Sequence, residues 1–276
     1  MKKHLALIIA VTAVASQAFA QRVEVSLTLA YTVFITGEPV LIQAEVTNLM
    51  RDALEIGDDA PAKFLIEVYK ENRNEELPHD MGKPFIKPVT LAPGNKLTHR
   101  MEADKWFDVA DNGKYLIRAV LAHNGVRYES TMKSFDIVPG IPLKEGVQMF
   151  AHKQNVQRNF KLVHWTRGQY QTRRLFLRIE DTPGGQIWDT IDLGDFSRAE
   201  EPRLDIAPTG EVTTVHRANP DNFLRTVIWS LPDSVEIAER DVLLDPDVSS
   251  ATRMRNHYGD LPDQTEQKKS SWWKLW

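Results

Sequence analysis

Val23-Glu24-Val25-Ser26-Leu27-Thr28-Leu29 alternates apolar and polar residues, and after the turn Gly37-Glu38-Pro39 so does Val40-Leu41-Ile42-Gln43-Ala44-Glu45-Val46-Thr47. Successive strand side chains point to opposite faces, so this period of two describes strands with one face in a core and one in water. The same reading predicts strands over 64–69, 96–101, 114–121, 126–130 and 134–138, with turns at Pro88, Pro93-Gly94 and Asn124-Gly125. Asn-Gly is a hairpin signal, because both central residues of a type I′ turn need positive φ. About seven short strands in about 115 residues is the spacing of two antiparallel sheets packed face to face.

Within that region, Asp111-Asn112-Gly113-Lys114-Tyr115-Leu116-Ile117 resembles the Asp-x-Gly-x-Tyr-x-Cys stretch of immunoglobulin-like domains. The resemblance implies that the Tyr115 hydroxyl bonds back to the chain at a sheet corner near Asp111. Ile117 stands where those domains carry a bridging cysteine. The chain has no cysteine at all, so the departure is coherent and places disulfide-dependent subfamilies out of reach. The resemblance covers residues 21–140. It implies a bacterial immunoglobulin-like β-sandwich in which Asp111, Tyr115 and Ile117 are structural, and it leaves function open, since such sandwiches serve binding, spacing and adhesion alike.

Val138-Pro139-Gly140-Ile141-Pro142-Leu143 reads as a linker into a second domain over 141–248. Eight further strands are predicted there in two groups of four: 147–150, 160–165, 175–180 and 187–193, then 204–207, 212–217, 223–230 and 235–240. Val163-His164-Trp165 is echoed by Val215-His216-Arg217, and Phe176-Leu177-Arg178 by Phe223-Leu224-Arg225. This is similar to two blades of a WD-repeat-type propeller. Two four-stranded units do not close a ring that takes about 4–8 blades, so a second sandwich, stacked meanders and blades completed by another chain all stand open. Alternation fails beyond Pro246, and residues 249–276 are expected to form a flexible tail. The expected class is therefore all-β: an immunoglobulin-like sandwich, a second antiparallel meander domain and a tail.

Residues 1–20 combine Lys2, Lys3 and His4, an apolar run from Leu5 to Ala15, and Ala18-Phe19-Ala20 before Gln21. A basic start, a short apolar stretch and a small-residue cleavage site make a secretory signal peptide, and the run is too short to span a bilayer. The expected destination is the periplasm, the cell surface or the extracellular space. Removing Lys2 and Lys3 from the 34 basic residues leaves 32 against 38 acidic, a balance that favours solubility and points away from nucleic acid. Without cysteine there is no thiolate nucleophile and no cysteine-held metal.

Chemistry-bearing motifs are scarce. There is no H-E-x-x-H, G-x-S-x-G or phosphate-binding glycine loop, and Ser130-Thr131-Met132-Lys133 matches S-x-x-K at a strand end with neither companion motif. Gly57-Asp58-Asp59 and the trio Asp189, Asp192, Asp195 lack the order of a calcium loop. His164 and His216 occupy equivalent repeat positions, but no third ligand accompanies them. No catalytic residue, metal or cofactor is expected. The stretch 146–178 carries Lys153, Arg158, Lys161, Arg167, Arg173, Arg174 and Arg178 among aromatics and not one acid. Arg167, Arg173, Arg174 and Arg178 are thus candidates for contact with an anionic polysaccharide. The acidic stretch that follows offers internal pairing instead, with Arg174 expected opposite Asp192 and Arg178 opposite Trp188.

Three of the seven tryptophans, Trp272, Trp273 and Trp276, lie in the last five residues near Lys268, Lys269 and Lys274. Indole with ammonium suits a partner protein or a membrane interface. The function expected is that of an exported, non-enzymatic binding or assembly protein, contacting an unidentified protein or cell-surface component through its second domain and tail. The alternative is a carbohydrate-active or other hydrolase with paired carboxylates in the second domain.

Overall fold

Alternation along the chain becomes mostly antiparallel sheet, with β2 parallel to β11 and β4 parallel to β5: in this computed structural model, which describes residues 22–57, 59–71, 75–79, 85–150, 157–168 and 172–244, the protein is all-β. Residues 1–20, read as a signal peptide, Asp58 and the residues from 245 on, with the expected Trp-Lys tail, lie outside the described residues. The chain divides into two compact units, Met1–Ile141 with Trp165–Thr172, and Pro142–His164 with Arg173–Trp276.

The first unit contains β1 (Val23–Leu29), β2 (Val33–Ile35), β3 (Leu41–Asn48), β4 (Leu54–Ile56), β5 (Ala62–Lys70) and β6 (Glu75–Glu76). These are followed by β7 (Val89–Leu91), β8 (Lys96–Glu102), β9 (Gly113–His123), β10 (Val126–Glu129) and β11 (Lys133–Val138). β1, β3 and β8 make one sheet; the other runs β2-β11-β9-β5-β4-β7, with β10 on β9 and β6 on β5. The short strands β2, β4, β6 and β7 escape the sequence reading, since two or three residues are too few to show a period. Inward residues of both sheets, among them Val25, Leu27, Ile42, Val46, Phe64, Ile66, Ile117 and Phe135, share one core. Tyr115 is 1% exposed and donates its hydroxyl to the Asp111 carbonyl at 2.8 Å. Its ring stacks on Phe135 at 5.3 Å, and Ile117 is fully buried. The β9–β10 hairpin turns at Asn124 (φ 50°) and Gly125 (φ 76°), as a type I′ turn requires.

The second unit is built from β12 (Ile141–Met149), β13 (Gln157–Arg167), β14 (Thr172–Thr182), β15 (Ile187–Asp195), β16 (Arg203–Ile206), β17 (Glu211–Arg217), β18 (Asn222–Leu231) and β19 (Ser234–Leu244). They form two four-stranded meanders, β12-β13-β14-β15 and β16-β17-β18-β19. Phe160, Leu162, Leu175, Leu177, Ile179, Ile191 and Leu193 of the first meander pack on Leu204, Val212 and Ile228 of the second. At Gly146 a Cβ would come within 2.5 Å of Ile206 Cδ1, so glycine there lets β12 approach β16.

Two expectations are corrected. The linker at 138–143 is shorter than predicted: Gly140 turns at φ 74° and β12 already begins at Ile141. Pro142 is tolerated because β12 is an edge strand, where a missing N–H breaks no ladder. The β14–β15 register also differs, with Arg174 opposite Asp195 and Arg178 opposite Thr190. Irregularities between Leu175 and Phe176 and between Ile179 and Glu180 insert extra residues in β15, which strict alternation does not anticipate.

Candidate binding surface of the second unit

Among the described residues each meander has terminal strands with one unpaired side, β12 among them in the first and β19 in the second. An unpaired edge offers a row of backbone donors and acceptors to any extended chain, and proteins usually blunt it with charge or a bulge. The first half of β19 is blunted in both ways. Glu236, Glu239, Arg240 and Asp241 line it, and the register slips between Val227 and Ile228, leaving Ala238 as the extra residue. The second half is not: Val242 (59% exposed), Leu243 (40%) and Leu244 (62%) stand in solvent. On β12, Val147 and Met149 are similarly exposed, and on β18 so are Trp229 and Leu231. The sequence reading ended the last strand at residue 240 and so passed over Val242-Leu243-Leu244; three consecutive apolar residues were the available signal.

The arginines proposed for polyanion contact have different surroundings. Arg167 is 6% exposed, donates from Nη1 to both Glu38 carboxylate oxygens at 2.8 and 3.0 Å, and lies over the Tyr31 ring, all within the first unit. Arg174 reaches Asp192 at 2.8 Å and Asp195 at 3.0 Å, while Arg178 pairs with Glu180. The Arg174–Asp192 pairing therefore survives the shifted register. Trp188 faces Arg158 instead of Arg178. Arg173 forms no ion pair among the described residues, and its Nε is buried without an acceptor.

Arg158 is the most deeply placed charge of the basic stretch, with no exposed surface. Its guanidinium donates to Asp181 at 2.9 and 3.4 Å, to Ser230 Oγ at 3.2 Å, and to the carbonyls of Leu231 at 2.6 Å and Pro232 at 3.3 Å. Phe150 and Trp188 cover it at 4.8 and 4.2 Å. It ties β13 and β14 to the turn that launches β19, and so fixes where the open edge begins. In the sequence Arg158 is merely one of seven basic residues in the stretch; its depth follows from tertiary packing.

His164 and His216, each 2% exposed, lie on the second strands of the two meanders and both rest near Phe196, at 5.9 and 6.2 Å. His216 Nε2 donates to the Asp195 carbonyl at 3.0 Å, and burial pulls its pKa down to about 4. His164 Nε2 meets Arg198 Nη2, and burial, followed by the charges of Arg198 and Arg173, lowers its basicity. Among the described residues no group of three or more potential metal ligands occurs.

Several acids of the second unit are held by cations. Asp181 is bound by Arg158, Glu180 by Lys161 and Arg178, Glu200 by Arg217, and Glu239 and Asp241 by Arg225. In the first unit a groove of about 550 Å³ is lined by Phe85, Ile86, Lys87, Pro88, Val89, Leu97 and His99; burial lowers the His99 pKa, which leaves a largely apolar lining. No protein-family model matches the chain, and no curated protein matches its sequence.

Proposed function

We propose that the chain is an exported, non-enzymatic binding or assembly protein of the periplasm or cell surface, and that its second unit receives an extended segment of a partner protein along β19. The observation that carries this is the unpaired edge at Val242, Leu243 and Leu244, whose backbone groups and apolar side chains suit strand addition. The tail residues Lys268, Lys269, Trp272, Trp273, Lys274 and Trp276 are read as a second contact with the partner or with a membrane interface. The Tyr115 corner supports an immunoglobulin-like module as the first unit, and the paired meanders support a blade-like second one. Ion pairing of the second unit's carboxylates supports structural roles for them over the acid and base of a hydrolase.

The test is association in the producing cell. Val242→Lys with Leu244→Lys alters exposed side chains only, so stability should change by no more than about 0.5 kcal/mol. Co-fractionation with the partner should be weakened, and deleting residues 271–276 as well should weaken it further. The mature N-terminus should be Gln21. Unchanged association in both variants, or a cytoplasmic protein retaining residues 1–20, overturns the reading.

A further inference from the structure

We propose that Arg173 and Arg198 form a binding site for a tetrahedral oxyanion, a sulfate or phosphate group, with His164 as the residue that positions Arg198. The second unit pairs its other buried or half-buried arginines: Arg158 with Asp181, Arg174 with Asp192 and Asp195, Arg178 with Glu180, Arg217 with Glu200, and Arg225 with Glu239 and Asp241. Arg173, half-buried on β14, and Arg198, exposed on the connection between β15 and β16, have no carboxylate within ion-pair distance among the described residues. They are held in one neighbourhood. The Phe196 N–H donates to the Arg173 carbonyl at 2.9 Å, which fastens the connection to β14 two residues before Arg198.

Arg198 Nη2 then donates to His164 Nε2 at 2.5 Å. A guanidinium has no acceptor, so Nε2 must hold a lone pair and the imidazole is neutral, with its proton on Nδ1. Both guanidiniums also act on His164 electrostatically, as its lowered basicity records. Uncompensated cations around a neutral, buried histidine are unfavourable for folding and favourable for holding an anion. Two planar forks meeting one tetrahedral group, each able to give parallel N–H···O bonds, are the arrangement that recognises sulfate and phosphate esters. The exposed side of Arg198 leaves such an ester open to attachment on a larger glycan. This site does not rest on the β19 reading, and either can fail alone.

Calorimetric titration of the full chain with sodium sulfate, sodium phosphate and a sulfated oligosaccharide, against the same oligosaccharide without sulfate, tests it. Saturable binding of the inorganic ions is expected, weakened at least tenfold by Arg173→Ala and by Arg198→Ala, but not by Arg203→Ala, which removes an exposed arginine elsewhere. Tighter binding of the sulfated oligosaccharide than of free sulfate assigns the group to a glycan; equal or weaker binding assigns it to a free ion. His164→Leu should weaken binding as Arg198→Ala does, and His164→Gln, whose amide oxygen still accepts from Arg198, should restore it. The proposal is overturned if neither inorganic ion binds saturably, or if Arg173→Ala and Arg198→Ala retain full affinity in variants with unchanged melting temperature.

Discussion

Replacing Arg158 by Met keeps most of the aliphatic stem and deletes the guanidinium from a site without solvent. The Asp181 carboxylate, 11% exposed, then loses the Arg158 charge, and Ser230 Oγ and the Leu231 and Pro232 carbonyls lose a donor. Breaking one side of a buried ion pair costs about 3–5 kcal/mol, because the remaining charge keeps its desolvation without its attraction. At a urea dependence of about 1.5 kcal/mol per M, the midpoint for the second unit should fall by about 2–3 M. Trp188, at 4.2 Å from the guanidinium, gives a local fluorescence signal for that transition. Arg158→Met with Asp181→Leu should recover most of the loss, leaving about 1 kcal/mol for each carbonyl deprived of its donor. A single Arg158→Met variant within about 1 kcal/mol of wild type would show that the buried pair contributes no more than a surface one.

Two further outcomes are expected. Tyr115→Phe keeps the ring stacked on Phe135 and removes only the hydroxyl bond to Asp111, so chemical denaturation should show a loss of about 1 kcal/mol in the first unit; no change would remove the corner from the account of its stability. His216 has a folded-state pKa of about 4, below its ordinary 6.5, so its contribution is complete above pH 6.5 and is lost as pH falls from 6.5 to about 4. The loss amounts to about 3 kcal/mol. His216→Gln should flatten the stability–pH curve over that window, and an unchanged slope would mean that His216 is not neutral in the fold.

Much of the architecture was legible because a strand's period is two and its turn residues are few in kind. The two groups of four strands after residue 141 emerged from alternation and Pro-Gly punctuation alone, as did the Asn124-Gly125 hairpin. Tyr115 could be placed because Asp111 to Ile117 resembles the corner stretch of immunoglobulin-like domains, and the implied hydroxyl bond is made to the Asp111 carbonyl four residues away. The candidate sites were less legible. Arg174 and Arg173 are neighbours of like composition, yet one is held by Asp192 and Asp195 and the other forms no ion pair among the described residues. Composition records how many charges a stretch carries; which of them meet depends on bulges in β15 and on a connection fastened to β14, and neither leaves a periodic mark. By itself, the sequence determined the all-β class and the two groups of four strands among the described residues of the second unit, since these follow from local backbone preference and burial of alternate faces; the corner at Tyr115 came from its resemblance to immunoglobulin-like domains. Only the tertiary structure decided that Arg158 is buried, and that among the described residues Arg173 and Arg198 form no ion pair and β19 has an unpaired side with exposed apolar residues, because each depends on what residues distant in sequence bring alongside.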